Sequence, residues 1–161
     1  MFASRLEART SGAAKRTAME PLDLTKAPPR SPREELDGLP ALPRTIDKMR
    51  AHLPGGNPGV YNIKGLSSTM FETIGITEDQ FRDAVATAQS DQDVVDWLRT
   101  HAKTGEYSTW AGKANALKVA DVKAQNPERF AERYPISNTR TDIEYMSDML
   151  AVDDEDMFAK R

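Results

Sequence analysis

The feature that most constrains the fold is the spacing of the apolar residues, which from about Asp23 onward is helical rather than alternating. Steps of three and four residues place apolar side chains on one face of an α-helix. The clearest such stripe consists of Leu39, Leu42, Ile46, Met49 and Leu53. Pro43 is compatible with a helix only in its first turn, where backbone N–H groups lack intrahelical partners. The sequence therefore predicts a helix that starts near residues 40–43.

Three capping boxes predict further helix starts. In this motif a Ser or Thr is followed three residues later by Glu or Gln, and the two side chains satisfy free backbone N–H groups. The motif occurs at Thr69–Glu72, Thr77–Gln80 and Thr141–Glu144. Ser90 is a further candidate cap, as is Asn126, which precedes a proline at the first helical position.

These signals predict an all-α fold, a single compact domain of about six to eight short helices over residues 23–161. One longer helix is expected over 107–124. The only segment that we expect to be extended is Val60–Ile63, which lies between glycine-rich turns. For residues 1–22 we favour a disordered or flexible tail over a short transit-like segment.

Composition restricts the classes of partner. The chain has 22 basic and 25 acidic residues and a net charge of −3, which gives no general reason to bind nucleic acid or an anionic membrane. It has no cysteine, which excludes disulfides and thiolate chemistry and is compatible with a reducing cytoplasm. No apolar run approaches the roughly 20 residues that a membrane helix needs. We therefore expect a soluble cytoplasmic protein with no nucleic-acid or membrane partner.

Few residues are obvious candidates for catalysis. His52 and His101 each fall near a predicted helix C-terminus, where an imidazole suits the helix dipole, and we favour that structural role over catalysis. The run 55-GGNPG-59 is better explained as a turn than as a phosphate loop. The acidic clusters at 91–96 and 153–156 lack the pattern of a calcium loop. The sequence identifies no catalytic residue, and we expect no cofactor and no metal site.

The best candidate for a binding site is the basic segment 28–53, which holds five of the ten prolines. Its arginines and lysine could bind a carboxylate or a phosphate of a small anionic metabolite. Asp47 would orient one of these cations, Tyr61 would donate a hydrogen bond, and Trp110 would form an apolar wall. The alternative is a salt-bridged surface. The candidate ligand-binding residues are Arg30, Arg33, Arg44, Asp47, Lys48, Tyr61 and Trp110.

A second hypothesis is a non-catalytic interaction module. The C-terminal segment carries Met146, Met149 and Met157 among acidic residues, and a Met-rich helix can dock a partner protein or form a homo-oligomer. The competing interpretation, which we favour for these residues, is that the methionines fill the core.

Several motifs occur in an order that is similar to one known family. They are 28-PPRSPREEL-36, 42-LPRTIDKMRAHL-53, the turn ending at Tyr61, 70-MFETIGI-76 followed by FRDAV, and 140-RTDIEYMSDMLAVDDED-156. From about Asp23 to Asp156 the chain resembles the family known as domain of unknown function 5069. The resemblance implies a bacterial protein but no activity. The candidate residues of 28–61 lie in the stretches that match the family best. At the position of Ser67 the resemblance implies an acidic residue, which this chain lacks.

Overall fold

The first helix, α1 (Leu42–His52), is buried on almost every side. In the computed structural model, which describes residues 17–161, nine of its eleven residues are buried. Three residues of the predicted stripe, Leu42, Ile46 and Met49, form the apolar face and are fully enclosed, whereas Leu39 lies in a strand before the helix and Leu53 follows its end. The helix starts where Pro43 predicts, since proline occupies its first turn. Its polar residues are also buried, so α1 carries charged side chains into the interior.

Eight α-helices lie in the described part of the chain, so the predicted all-α fold class is confirmed. They are α1 (Leu42–His52), α2 (Leu66–Ile74), α3 (Glu78–Thr87), α4 (Asp91–His101), α5 (Tyr107–Ala116), α6 (Val119–Gln125), α7 (Pro127–Arg133) and α8 (Met146–Ala159). Short 3-10 helices at Thr104–Glu106 and Pro135–Asn138 join some of them.

The extended structure lies before α1 and not at Val60–Ile63. Two strands of two residues each, β1 (Glu35–Leu36) and β2 (Leu39–Pro40), pair antiparallel in a small hairpin. In the segment 60–63 the Tyr61 N–H instead donates to Pro58 O over 3.0 Å, which closes a turn. Among residues 17–161 that segment has no strand partner.

The capping prediction is confirmed at α3. The Gln80 N–H donates to Thr77 Oγ1 over 3.1 Å, and the Thr77 N–H donates to Gln80 Oε1 over 2.9 Å. Ser90 and Asn126 also accept from backbone N–H groups, at α4 and α7. These residues fix three helix starts by local hydrogen bonding alone.

The prediction at Thr69–Glu72 is wrong, because α2 has already begun at Leu66. The chain enters this helix through Gly65, which has a φ of 64°, a conformation that favours glycine. Thr69 therefore lies inside the helix, and its hydroxyl donates to Gly65 O over 3.1 Å.

The prediction at Thr141–Glu144 is also wrong. The backbone of Tyr145 forms an antiparallel bridge with Lys118, and α8 begins only after this bridge, at Met146. The same bridge explains why the predicted helix over 107–124 is divided into α5 and α6, since Lys118 leaves the helical conformation to form it. A contact between distant segments here overrides the local signals.

The main apolar core lies between the hairpin and helices α1 to α5, with Phe81, Trp110 and Met70 among its largest members. A second cluster, around Phe130, packs α7 against α8. No helix among residues 17–161 is long and apolar enough to cross a membrane.

Residues 17–22, which the sequence assigns to a tail, contact the domain. The Met19 N–H donates to Ala88 O over 3.0 Å. The Arg50 guanidinium donates to Glu20 O over 2.6 and 2.9 Å. The rest of the predicted tail, residues 1–16, lies outside the described residues.

Candidate functional site

A cleft of about 710 Å³ opens along one side of α1. Residues of α1 form its floor, and its walls come from the loop at 61–65 and from the helices α2, α5, α6, α7 and α8. Six helices thus contribute to one concavity, whose size falls in the range of small-molecule sites.

The charge of the cleft is strongly unbalanced. Its lining holds five cationic side chains and one carboxylate, Asp121. Such a lining attracts anions and raises their local concentration. The cations are Arg44, Lys48, Lys64, Lys113 and Arg133.

Lys48 is the most unusual of these cations, because only 7% of it is exposed. Its ammonium group makes no hydrogen bond or ion pair with any residue of the described chain. Beyond the hydrogen bonds of the helix itself, its backbone carbonyl accepts from His52 Nδ1 over 2.8 Å. Burial, reinforced by the nearby Arg44 cation and by Arg133, lowers the pKa of Lys48 to about 7, although the Asp154 carboxylate acts in the opposite direction. Near neutral pH this amine is therefore divided between its charged and neutral forms.

Arg44, in contrast, has a buried partner. Its Nη1–H donates to Asp154 Oδ2 over 2.6 Å, and the Tyr61 hydroxyl donates to the other oxygen of the same carboxylate over 2.7 Å. The guanidinium also lies 5.5 Å from the centre of the Tyr61 ring. Burial and the Asp154 carboxylate raise the pKa of Tyr61 above its ordinary value. The three side chains hold α1, the 61–65 loop and α8 together.

The other three charged candidates lie outside the lining of the cleft. Asp47 accepts hydrogen bonds from the backbone and the guanidinium of Arg30, at 2.9 to 3.0 Å, and Arg30 also pairs with Asp91 at 2.6 Å. Asp47 thus holds the Arg30 guanidinium away from the cleft. Arg33 pairs with Asp148 at 2.8 Å at the surface. The basic segment therefore divides, with Arg44 and Lys48 in the cleft and the two earlier arginines paired elsewhere.

The aromatic candidates both line the cleft. Trp110 is fully buried, and its indole N–H donates to Pro40 O over 2.9 Å, which leaves no free polar group on the ring. Its indole forms part of the lining, while Tyr61 presents a ring beside Arg44.

Sequence reasoning missed Lys64, Lys113, Arg133 and Tyr134, which also line the cleft. They come from three separate segments with no shared motif, and only the tertiary fold brings them together. One signal was available for Lys48: no carboxylate lies three or four residues from it in either direction, so α1 offers it no local ion pair.

Two hydroxyl groups lie on the floor of the cleft. Thr45 and Ser67 both line it and are buried, and their oxygens are 2.9 Å apart. Thr45 also donates to Ala41 O over 2.9 Å, so Ser67 donates to Thr45 and its own oxygen keeps free lone pairs. Ser67 stands where the family resemblance gives an acidic residue.

The two histidines lie at helix C-termini, as predicted. His52 and His101 are the last residues of α1 and α4, and each Nδ1 lies 2.8 Å from the carbonyl oxygen four residues earlier. Because a carbonyl only accepts, each Nδ1 carries the proton.

The acidic cluster at 153–156 is divided among separate contacts. Asp154 pairs with Arg44, and Asp156 pairs with Lys160 at 2.7 Å. Burial raises the pKa of Asp153, although the Arg133 cation opposes the shift. Among residues 17–161 no group of three or more side chains of the metal-binding types is arranged to hold an ion.

The C-terminal methionines contribute to cores within the domain. Met146 and Met149 are buried beside Phe130, and the half-buried Met157 packs against the small cluster that contains Tyr61. Among the residues that the structure describes, one large hydrophobic residue is exposed, and it is Val60. A docking role for α8 stays a prediction.

Fold and cleft together define a small all-α domain with a cationic concavity along its first helix. The chain belongs to the family described as "Domain of unknown function (DUF5069)", whose sequence model matches residues 26–156. The family resemblance of the motifs is therefore confirmed, and the match includes every residue that lines the cleft. No curated protein matches the chain.

Proposed function

We propose that this protein binds a small organic anion, a carboxylate or a phosphate, in the cleft along α1. The observation that carries the proposal is Lys48, a residue only 7% exposed, whose ammonium has no partner within the described chain and reaches a cleft lined, among residues 17–161, by five cations and one carboxylate. A buried charge is costly without a counter-charge. A bound anion would supply that counter-charge.

The exposed cations of the lining provide an entrance. Lys64, Lys113 and Arg133 are exposed and none of them forms an ion pair with a carboxylate of residues 17–161. They would draw an anion in from solvent and contribute charge-assisted hydrogen bonds at the rim. Lys48 would then meet the anion at the floor.

The rest of the lining favours a small molecule with an apolar part. Trp110 and the side chains of Leu66, Leu117 and Leu150 supply apolar surface. Ser67 offers a hydroxyl whose lone pairs are available on the floor. Apolar walls with a few polar groups are the usual composition of a metabolite site.

Thermal unfolding with added anions tests the proposal. The panel should contain inorganic phosphate, citrate, short mono- and dicarboxylates, and nucleotides. An anion at about 100 times its dissociation constant stabilises the folded state by about 2.7 kcal/mol, which raises the midpoint by a few degrees in a domain of this size.

The matched variants are Arg133→Ala and Arg129→Ala. Both arginines are exposed on α7, but only Arg133 lines the cleft. We expect the midpoint shift to persist in Arg129→Ala and to fall in Arg133→Ala. A panel that never shifts the wild type, or shifts both variants equally, contradicts the proposal. Arg44→Ala is a poor test, because it leaves Asp154 buried without its ion pair and so changes stability directly.

A further inference from the structure

Lys48 combines three properties that a lysine nucleophile requires. It lies in a cleft that is open to small molecules, its amine has no protein partner among the described residues, and its burial disfavours the ammonium form. An ion-paired lysine differs in two of these respects: it has a protein partner, and the neighbouring carboxylate keeps it charged.

We infer that Lys48 is a nucleophile, whose amine condenses with the carbonyl carbon of a short oxo acid that the cleft holds by its carboxylate. The inference rests on the proposed anion site, since the cations of the lining are what would hold that carboxylate. It goes further by naming the substrate class and a covalent step.

The charged groups around Lys48 keep a large fraction of the amine neutral. Arg44 on α1 and Arg133 on α7 favour loss of the proton, Asp154 on α8 favours its retention, and burial outweighs each of them. With a pKa of about 7, half of the amine is unprotonated at pH 7. For a lysine with an ordinary pKa of 10.4, the fraction is about one in 2500. A desolvated lysine beside another cation is a known route to Schiff-base chemistry.

The covalent step balances without any further reagent. The nitrogen lone pair attacks the carbonyl carbon, and one amine proton passes to the carbonyl oxygen to give a carbinolamine. The nitrogen then loses its second proton while the hydroxyl takes up a proton and leaves as water, so that a C=N bond replaces the C=O bond. No oxidation or reduction takes place. Protonation of the imine takes one proton from solvent.

The cations of the cleft explain why the substrate should be an oxo acid rather than a neutral aldehyde. A protonated imine at Lys48 carries a positive charge close to Arg44 and Arg133, which is unfavourable. A carboxylate on the carbon next to the imine offsets that charge. The same carboxylate gives the molecule a reason to enter a cationic cleft.

Reductive trapping tests the inference. Wild-type protein is incubated at pH 7 with sodium cyanoborohydride and either pyruvate or 2-oxoglutarate, and the modified lysines are located by peptide mass mapping. We expect labelling at Lys48 to be at least tenfold faster than at the exposed Lys123. Lys48→Met should lose the fast adduct, and circular dichroism should show that this variant remains folded. Labelling at Lys48 that is no faster than at Lys123 overturns the inference.

Formaldehyde, a neutral carbonyl probe, separates failure of the lysine from failure of the anion site. If Lys48 reacts rapidly with formaldehyde but not with either oxo acid, the amine is reactive while the oxo-acid inference is refuted, and the anion site is then judged by the thermal unfolding panel. If anions stabilise the fold but formaldehyde methylates Lys48 no faster than Lys123, the anion site stands and the nucleophile is refuted. Rapid reaction of Lys48 with both probes, together with slower oxo-acid labelling of Arg133→Ala, supports both proposals.

Discussion

Replacing Lys48 with methionine should stabilise the folded protein, and the gain should shrink as the pH rises. The folded protein binds the Lys48 proton with a pKa of about 7, whereas the ordinary value in an unfolded chain is 10.5. Between these values the unfolded state holds more protons than the folded state, so the stability of the wild type rises with pH. Below pH 7 the buried ammonium exerts its full cost.

The magnitude follows from the two pKa values. The difference between a pKa of about 7 in the folded protein and 10.5 in the unfolded chain corresponds to a loss of about 5 kcal/mol in folding stability, at 1.36 kcal/mol per pH unit. The folded protein incurs the whole of this penalty only at acidic pH. It is about 4 kcal/mol at pH 7 and about 1 kcal/mol at pH 10. Methionine removes the penalty and fills a similar volume, and any apolar gain that it adds is the same at every pH.

Urea unfolding of wild type and Lys48→Met at pH 6, 7, 8, 9 and 10 measures this difference. We expect the free energy of unfolding of Lys48→Met to exceed that of wild type by several kcal/mol at pH 6. Most of this difference should disappear by pH 10. Lys123→Met, at an exposed position, should show no such trend. A stability difference between Lys48→Met and wild type that is constant over the whole range would refute a desolvated, partly neutral lysine.

Three further substitutions test other parts of the structure. Asp154→Ala should cost about 3 to 5 kcal/mol in denaturant unfolding, because it leaves the buried charge of Arg44 without a partner; a loss below 1 kcal/mol would mean that solvent reaches the guanidinium. Thr77→Ala should cost about 1 kcal/mol by removing the cap of α3, and Thr69→Ala, which has the same sequence pattern but no cap, should cost clearly less in the same assay. Gly56→Ala should lower stability by about 2 kcal/mol, because its Cβ would lie 2.5 Å from a backbone oxygen of α1; an unchanged melting temperature would show that this turn can relax.

Local signals predicted some helix starts correctly and failed at others, for two different reasons. Thr77 and Thr69 begin the same motif, but only Thr77 caps a helix. The difference is the residue that precedes each helix, since Gly65 allows α2 to start earlier than its motif indicates. At Tyr145 the competitor is Lys118, which is distant in sequence and therefore invisible to a local pattern.

The lining of the cleft could be predicted only in part. Arg44, Lys48, Tyr61 and Trp110, which a basic helix and nearby aromatic residues suggest as candidates in the sequence alone, do line it, and their role in binding stays a prediction. Which cations are free to bind a ligand depends on partners elsewhere in the chain. Arg30, for instance, is paired with Asp91, which lies beyond the basic segment, so its availability could not be read from that segment.

The pairing of Arg44 with Asp154 has a consequence for biosynthesis. The two residues are 110 positions apart, and a ribosome delivers the arginine long before the aspartate. Until Asp154 has left the exit tunnel, the nascent chain holds a cation in its central helix with no matching carboxylate. The contact between α1 and α8 can then form only once Asp154 has emerged from the ribosome, so a chain that ends before residue 154 should not form the complete cleft.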